Sequence, residues 1–222
     1  MKEYRVVKAA GKPGLDGDWS GAVWGGVTAA RLEAFHERSS DHQPGVEVKM
    51  VYDEAGVYVH FRVVDQYVIA KYCERQSYVC RDSCAEFFVQ PINGKGYFNF
   101  EVSCGGHILL AYTMKPRKED VEVSNEWLDQ IEIYHSMPER VEEEVKEETV
   151  WQVEYFVPWV LFEAYLGGWD GQKPGEGKEV TWRGNFYKCA DESSHPHWGM
   201  WQDVGEKLDY HQPDKFGQIV FE

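Results

Sequence analysis

Apolar and polar residues alternate along most of this chain, and that repeat of two limits what it can fold into. Val46, Val48, Met50 and Tyr52 alternate with Glu47 and Lys49, and after Asp53-Glu-Ala-Gly56 the residues Val57, Val59, Phe61 and Val63 alternate with Tyr58, His60 and Arg62. Successive side chains of a strand point to opposite faces, so each run reads as a strand with one face turned to a core. The Asp-Glu-Ala-Gly stretch between them reads as a hairpin turn. A second hairpin joins Cys84–Pro91 to Tyr97–Ser103 across Ile92-Asn-Gly-Lys-Gly96. Further strands are expected at His107–Thr113, Ile131–Tyr134, Val150–Val157, Val180–Tyr187 and Gly217–Phe221. Helix is minor, at Thr28–His36 and in a short turn from Pro158 to Tyr165. Pro138–Thr149, with its glutamates, reads as a solvated edge, and Gly167–Gly175 as a loop holding an exposed Trp169. Many short strands separated by turn residues predict an all-β fold. The expected architecture is an antiparallel β-sandwich with minor short helices. No internal repeat or composition break divides the chain, so residues 1–222 are expected to form one domain.

The side-chain inventory narrows the partners. At 43% hydrophobic and 15% aromatic residues the chain can bury a large core, which excludes wholesale disorder. A formal net charge of −15 argues against nucleic acid or an anionic membrane as partner. No run of apolar residues is long enough to span a bilayer. The start, Met1-Lys-Glu-Tyr-Arg-Val-Val, lacks the apolar stretch of a signal peptide. The five cysteines (Cys73, Cys80, Cys84, Cys104 and Cys189) are an odd number and read as free thiols. Both features favour a cytoplasmic location, or a secreted one where a leader has been trimmed. Cys80 and Cys84 have no second close pair to complete a zinc site, and buried small hydrophobes are the better reading.

Chemistry concentrates on the polar faces of the predicted strands and in the tail. If Phe87, Val89, Phe98, Phe100 and Val102 share the core, then Glu86, Phe88, Tyr97, Asn99 and Glu101 share the outer face, with Glu86 near Glu101. Two adjacent carboxylates repel unless a cation, a shared proton or a ligand's hydroxyls intervene. Arg183, Asn185 and Tyr187 alternate with Trp182 and Phe186 and supply donors for such a face. Eight aromatic rings fall between Trp182 and Phe221, several beside Pro, Gly, Ser and His in polar loops. Exposed rings of this kind suit a flat, partly apolar ligand, as a sugar's C–H face is. An ordinary polar face with incidental ion pairs accounts for the same pattern, and a carboxylate pair also invites a glycosidase reading. Asp16, Asp18, Asp53, Asp65 and Asp82 in turns would suit an irregular calcium site, whereas His195, His197 and His211 match no zinc spacing. Serine-hydrolase, phosphate-loop and zincin motifs are absent.

The motifs also come in a telling order: Asp16-Gly-Asp-Trp19, Tyr52-Asp-Glu with Val57-Tyr-Val, Arg81-Asp-Ser-Cys-Ala-Glu-Phe-Phe88 and Tyr97-Phe-Asn-Phe-Glu101. Trp151-Gln-Val-Glu154 with Val157-Pro-Trp159, Trp182-Arg-Gly-Asn-Phe-Tyr187, Trp201 and His211-Gln-Pro-Asp-Lys-Phe-Gly217 follow. Over nearly its full length the chain resembles the family 9 carbohydrate-binding modules, and more closely their stand-alone family-9-like relatives. The resemblance implies a β-sandwich of immunoglobulin-like or jelly-roll type that binds sugars without cleaving them, with a glycan's reducing end held between two tryptophans and structural calcium elsewhere. By position, Glu86 matches the acid after the Asp-Ser motif, and Trp201, with Trp198 beside it, matches the second stacking ring. Where the first ring is expected stands Cys80 or Arg81, with Tyr78 the nearest aromatic, and Glu101 replaces an expected basic residue. The expected ligand is a mono- or oligosaccharide, bound by Glu86, Asn99, Glu101, Arg183 and Asn185 with stacking from Tyr78, Trp198 and Trp201. No cofactor is required by this reading, and structural calcium is compatible with it. The alternatives are a glycoside hydrolase or accessory subunit using Glu86 and Glu101, and a haem-binding electron-transfer domain of the same sandwich type. The latter would pair Met50, Met114 or Met200 with His60, His107 or His197.

Overall fold

Both predicted hairpins form, and strict alternation sorts their side chains onto two faces. The computed structural model describes residues 1–222. In chain order the strands are β1 (Glu3–Lys8), β2 (Ala30–Leu32), β3 (Ala34–Phe35), β4 (Gly45–Tyr52), β5 (Gly56–Asp65), β6 (Val68–Ala70), β7 (Cys84–Gln90) and β8 (Tyr97–Ser103). They continue with β9 (Ile108–Lys115), β10 (Glu119–Glu122), β11 (Glu132–His135), β12 (Val141–Val145), β13 (Thr149–Pro158), β14 (Val180–Cys189), β15 (Trp198–Met200) and β16 (Gly217–Phe221). Helices α1 (Asn125–Leu128) and α2 (Trp159–Leu166) are short, and no helix is long and apolar enough to cross a membrane.

One layer runs β10-β9-β8-β7-β14-β16-β1 and the other β1-β4-β5-β13-β11. Strand β1 belongs to both: Glu3–Val6 pair with β16, and Val7 and Lys8 pair with β4. The single strand that changes layers closes the sandwich along one side. Both of its pairings are parallel, so this one strand adds a parallel seam to a sandwich that is otherwise antiparallel, as expected. Parallel neighbours need a long connection: β4 follows β1 only after the loop and short strands of residues 9–44, and β16 lies at the other end of the chain. Between the layers the predicted inward residues meet: Val48, Val59 and Phe61 from one side, Phe87, Phe100 and Trp182 from the other, all buried.

Three local expectations change. Residues Thr28–His36 form β2 and β3 instead of a helix: Ala30 and Leu32 are buried with Arg31 exposed between them, and β2 pairs with the edge of β4. Ala30, Leu32 and Ala34 keep period two, and pairing with β4 and β15 decides against the helical spacing that Ala30–Ala34 and Leu32–Phe35 also offer. Trp169 is half-buried, stacked on Trp182 with ring centroids 6.0 Å apart, so the glycine-rich loop folds back onto the core. Within Pro138–Thr149, strand β12 pairs antiparallel with β6.

The turn Ile92–Gly96 requires its glycines, with φ of +82° at Gly94 and +80° at Gly96. A Cβ on Gly94 meets nothing, whereas one on Gly96 would sit 2.5 Å from the carbonyl oxygen of Thr113. Gly94→Ala should therefore cost about 1–2 kcal/mol of stability, from backbone conformation alone. Gly96→Ala should cost about 1 kcal/mol more, as a shift of the urea unfolding midpoint at unchanged slope.

The outer face of the β8-β7-β14 layer does not meet water. Cys84, Phe88, Tyr97 and Tyr187 point outward yet are buried under Met200, Val204, Tyr210 and Phe216. The segment after β15 lies across the sheet as a cover and builds a second, smaller apolar cluster there. The cleft described next opens between this cover and the strands.

Candidate functional site

Glu86 and Glu101 stand directly opposite each other on the antiparallel pair β7 and β8, on the outward face. They are only 2% and 6% exposed, because the cover leaves a cleft of about 290 Å³ above them. Glu86 Oε1 accepts the Cys189 thiol at 2.9 Å, and Glu101 Oε1 accepts the Asn99 amide at 2.8 Å. Burial, reinforced by the charge of Glu101, pushes the Glu86 carboxyl well above the usual range. Burial likewise raises Glu101, to about 7. The floor of the cleft is thus a pair of carboxyls that retains a proton near neutrality.

The walls are aromatic and polar by turns. The half-buried Trp198 donates its indole N–H to Asp191 at 2.7 Å, which fixes the ring at the rim. Tyr210 stacks on Tyr187 at 3.8 Å, and Phe88 lies under His211. Burial holds the His211 ring down at about 4, so it is neutral at neutral pH. Tyr97 Oη is 2.7 Å from its Nδ1; with the phenol donating, Nε2 carries the proton that a ligand hydroxyl can accept. Opposite, Arg117 donates twice to Asp209 Oδ1 (3.2 and 2.8 Å), and Lys207 to Oδ2 (2.7 Å). Burial opposes ionisation of Asp209, but Lys207 and Arg117 outweigh it and hold the carboxyl at about 2. Acceptors, a neutral imidazole donor, a guanidinium and a ring edge therefore face one small volume.

Of the residues expected at the site, Glu86, Glu101 and Trp198 line this cleft. Asn99 supports the floor from beside it. Arg183 is absent: β14 pairs Glu86 with Tyr187 and Arg183 with Gln90, so it sits four residues along the strand, about 13 Å away. Its guanidinium instead holds the carbonyls of Asp214 and Phe216. Asn185 is consumed by the cover, trading hydrogen bonds with the backbone of Gln202 in both directions. Trp201, the expected stacking ring, is 4% exposed and packs in the main core 5.5 Å from Phe186. It lies three residues beyond Trp198, an odd spacing that sends the two indoles to opposite faces. Tyr78 stays outside, 62% exposed, with the Arg81 guanidinium 5.1 Å from its ring. Arg117, Asp191, Asp209, Tyr210 and His211 went unforeseen as wall residues, although the His211-Gln-Pro-Asp run marked the segment.

The residues weighed for metal and haem are dispersed. Asp53 and Asp82 cap turns, accepting backbone N–H groups of Ala55 and Gly56, and of Lys71 and Tyr72. Asp65 serves a buried ion pair with Lys188. Asp16 and Asp18 lie in a loop held by a cation of the protein's own, since Lys49 Nζ takes the carbonyls of Trp19 and Trp24 at 3.0 and 2.8 Å. Met50 is in the main core, Met200 in the second cluster and Met114 exposed. His60 bonds Gln152, His107 the Glu139 carbonyl and His197 the Lys188 ammonium, so no methionine–histidine pair is set up for axial ligation.

Comparison with known proteins identifies the fold and the family. The fold matches a Bacteroides uniformis protein, provisionally assigned as carbohydrate-binding, with a TM-score of 0.86 at 25% identity over 100% of this chain and 99% of that one. A carbohydrate-binding module of family 9 from Caldicellulosiruptor kristjanssonii in complex with cellotriose gives 0.65 at 16% identity, covering 100% and 94%. One from the same organism in complex with glucose gives 0.63 at 15%, covering 98% and 95%. Among curated proteins no match is found. Residues 27–221 match the sequence profile of carbohydrate-binding family 9, and the chain belongs to that family.

Proposed function

We propose that this chain binds a mono- or oligosaccharide in the cleft over Glu86 and Glu101 and does not cleave it. The observation that carries the reading is a buried acid pair under a fixed indole edge, in a member of a carbohydrate-binding family whose solved relatives hold glucose and cellotriose. Glu86 and Glu101 would take sugar hydroxyl protons, His211 Nε2 and Arg117 would donate, and Trp198 would cover the C–H face. Hydrogen bonds and stacking of this kind call for no cofactor. What supports binding without cleavage is membership of a family of carbohydrate-binding modules.

Calorimetric titration with glucose and short glucans tests it. Trp198→Ala should weaken binding about tenfold (~1.4 kcal/mol) with little loss of stability, since the ring is only half-buried. Trp201→Phe, in the core, should leave affinity unchanged. Absence of binding to any neutral sugar, or equal affinity in Trp198→Ala, would overturn the reading.

A further inference from the structure

Cys84 and Glu86 follow one another at the two-residue spacing that puts both side chains on the outer face of β7. Cys189 of β14 lies directly opposite Cys84 and diagonal to Glu86, whose own partner is Tyr187. The pleat of two paired strands thereby gathers two thiols and a carboxyl, although Cys84 and Cys189 stand far apart in the sequence. One ligand atom from each lies within 4.8 Å of the other two, and Cys189 Sγ is 2.9 Å from Glu86 Oε1. All three are buried, at 0%, 2% and 2% exposure for Cys84, Glu86 and Cys189. We propose that Cys84, Glu86 and Cys189 bind one thiophilic divalent cation of zinc's type, with its fourth coordination position open to the cleft.

The spacing is what a tetrahedral ion needs. Metal–sulfur bonds of about 2.3 Å and metal–oxygen bonds of about 2.0–2.2 Å place ligand atoms about 3.5–3.8 Å apart. The ligand atoms already lie within 4.8 Å of one another, with one pair at 2.9 Å, so the three sit at the scale of such a site. Access exists, because Glu86 and Cys189 both line the cleft. Thiolates select against calcium and magnesium, which want oxygen ligands. Charge favours the ion as well. No cation touches the acid pair directly: Arg117 at the cleft is bonded to Asp209, and Lys188 is paired with Asp65. Binding exchanges protons for the ion: two S–H bonds and one O–H bond break, two metal–sulfur and one metal–oxygen bond form, and up to three protons leave with no change of oxidation state. Neither sugar binding nor its test enters this reasoning, although Glu86 belongs to both sites.

The test is titration of the full chain, reduced with a phosphine and free of sugar, with cobalt(II) under anaerobic conditions. The expected result is one equivalent bound, with thiolate-to-cobalt charge-transfer absorption and tetrahedral d–d bands that zinc(II) abolishes. Cys84→Ser and Cys189→Ser should each lose about half of the charge-transfer intensity per bound ion and bind at least about 100-fold more weakly, more than the loss of an outer support costs. Cys73→Ser, away from the triad, should match the parent chain. Glu86→Gln keeps both thiols, so it should retain charge transfer while binding more weakly, which guards against misfolded serine variants. Absence of thiolate bands in the reduced chain, undiminished bands in both serine variants, or a Cys84–Cys189 disulfide that resists the phosphine would each overturn the proposal. A sugar titration that fails leaves this result untouched, and the reverse holds.

Discussion

Asp65→Asn is expected to destabilise the protein by about 3–5 kcal/mol, and adding Lys188→Met should restore most of that loss. Asp65 ends β5 in one layer and Lys188 lies near the end of β14 in the other, 1% and 0% exposed. Their charges meet at 3.3 Å inside the sandwich. Asp65 also accepts His42 Nε2 at 2.7 Å and the Trp151 indole at 3.0 Å, while Lys188 Nζ lies 2.7 Å from His197 Nε2. The His197 ring keeps its proton on Nδ1, which donates to the His195 carbonyl at 2.9 Å, so Nε2 is free to accept from the ammonium. Removing the carboxylate charge alone leaves Lys188 buried without the one carboxylate in contact with it. Removing both charges leaves two layers joined by apolar and neutral contacts, which is often close to neutral. Urea unfolding of the two single variants and the double variant measures the coupling directly.

The acid side of the stability profile follows from the same groups. Burial alone would raise the Asp65 carboxyl, but Lys188 and His42 outweigh it and hold it well below its ordinary value of 3.8. A depressed carboxyl contributes stability that is complete above its unfolded value and is lost as pH falls through the folded one. His197 is held near 3 by burial and by Lys188, and burial holds His60 and His211 near 4, each against 6.5. Unfolding frees these rings to take protons, so stability declines as pH drops from about 6.5 toward 4. The parent chain should therefore lose stability in two overlapping stages, and Asp65→Asn should lack the lower one.

Much of the strand order was legible because each strand serves one core. Val57, Val59, Phe61 and Val63 alternate for a whole strand, and nothing but a half-buried pleat satisfies that pattern. Thr28–His36 was misread because its strands are two and three residues long, too short for period two to separate from a helical stripe. The acid pair was also legible, since hairpin register around Ile92–Gly96 sets Glu86 against Glu101. What the sequence could not disclose was the cover. Residues Trp198–Phe216 cross an outward face that alternation assigns to solvent, and they bring Asp209, Tyr210 and His211 over strands distant in the chain. Arg183 failed for a related reason. It shares a face with Tyr187, but the register of β14 on β7 sets how far it stands from the carboxyls. The odd spacing of Trp198 and Trp201 was a usable signal, and it separates the rim indole from the core indole.

Glu101→Gln should raise stability at about pH 8 and leave it nearly unchanged at about pH 4, reversing the sense of the Asp65 variant. Glu101 has its folded value raised from 4.5 to about 7, first by burial. A raised carboxyl contributes stability that is complete below the unfolded value and is lost as pH climbs through the folded one. Between those limits the unfolded chain gives up a proton that the folded chain must keep. The penalty reaches on the order of 3 kcal/mol once both limits are passed. Glutamine keeps the amide acceptor for Asn99 and carries no charge to desolvate, so the alkaline loss should flatten in thermal unfolding measured across pH. Sugar affinity should fall in the same variant, because an ionised or proton-sharing carboxyl bonds hydroxyls more strongly than an amide does. A variant that is more stable yet binds less marks the acid pair as present for the ligand and not for the fold. If Glu101→Gln instead loses stability at about pH 8, something already compensates the pair. A cation held by Cys84, Glu86 and Cys189 is then the first candidate, and stripping it with a chelator should bring the stabilising effect back.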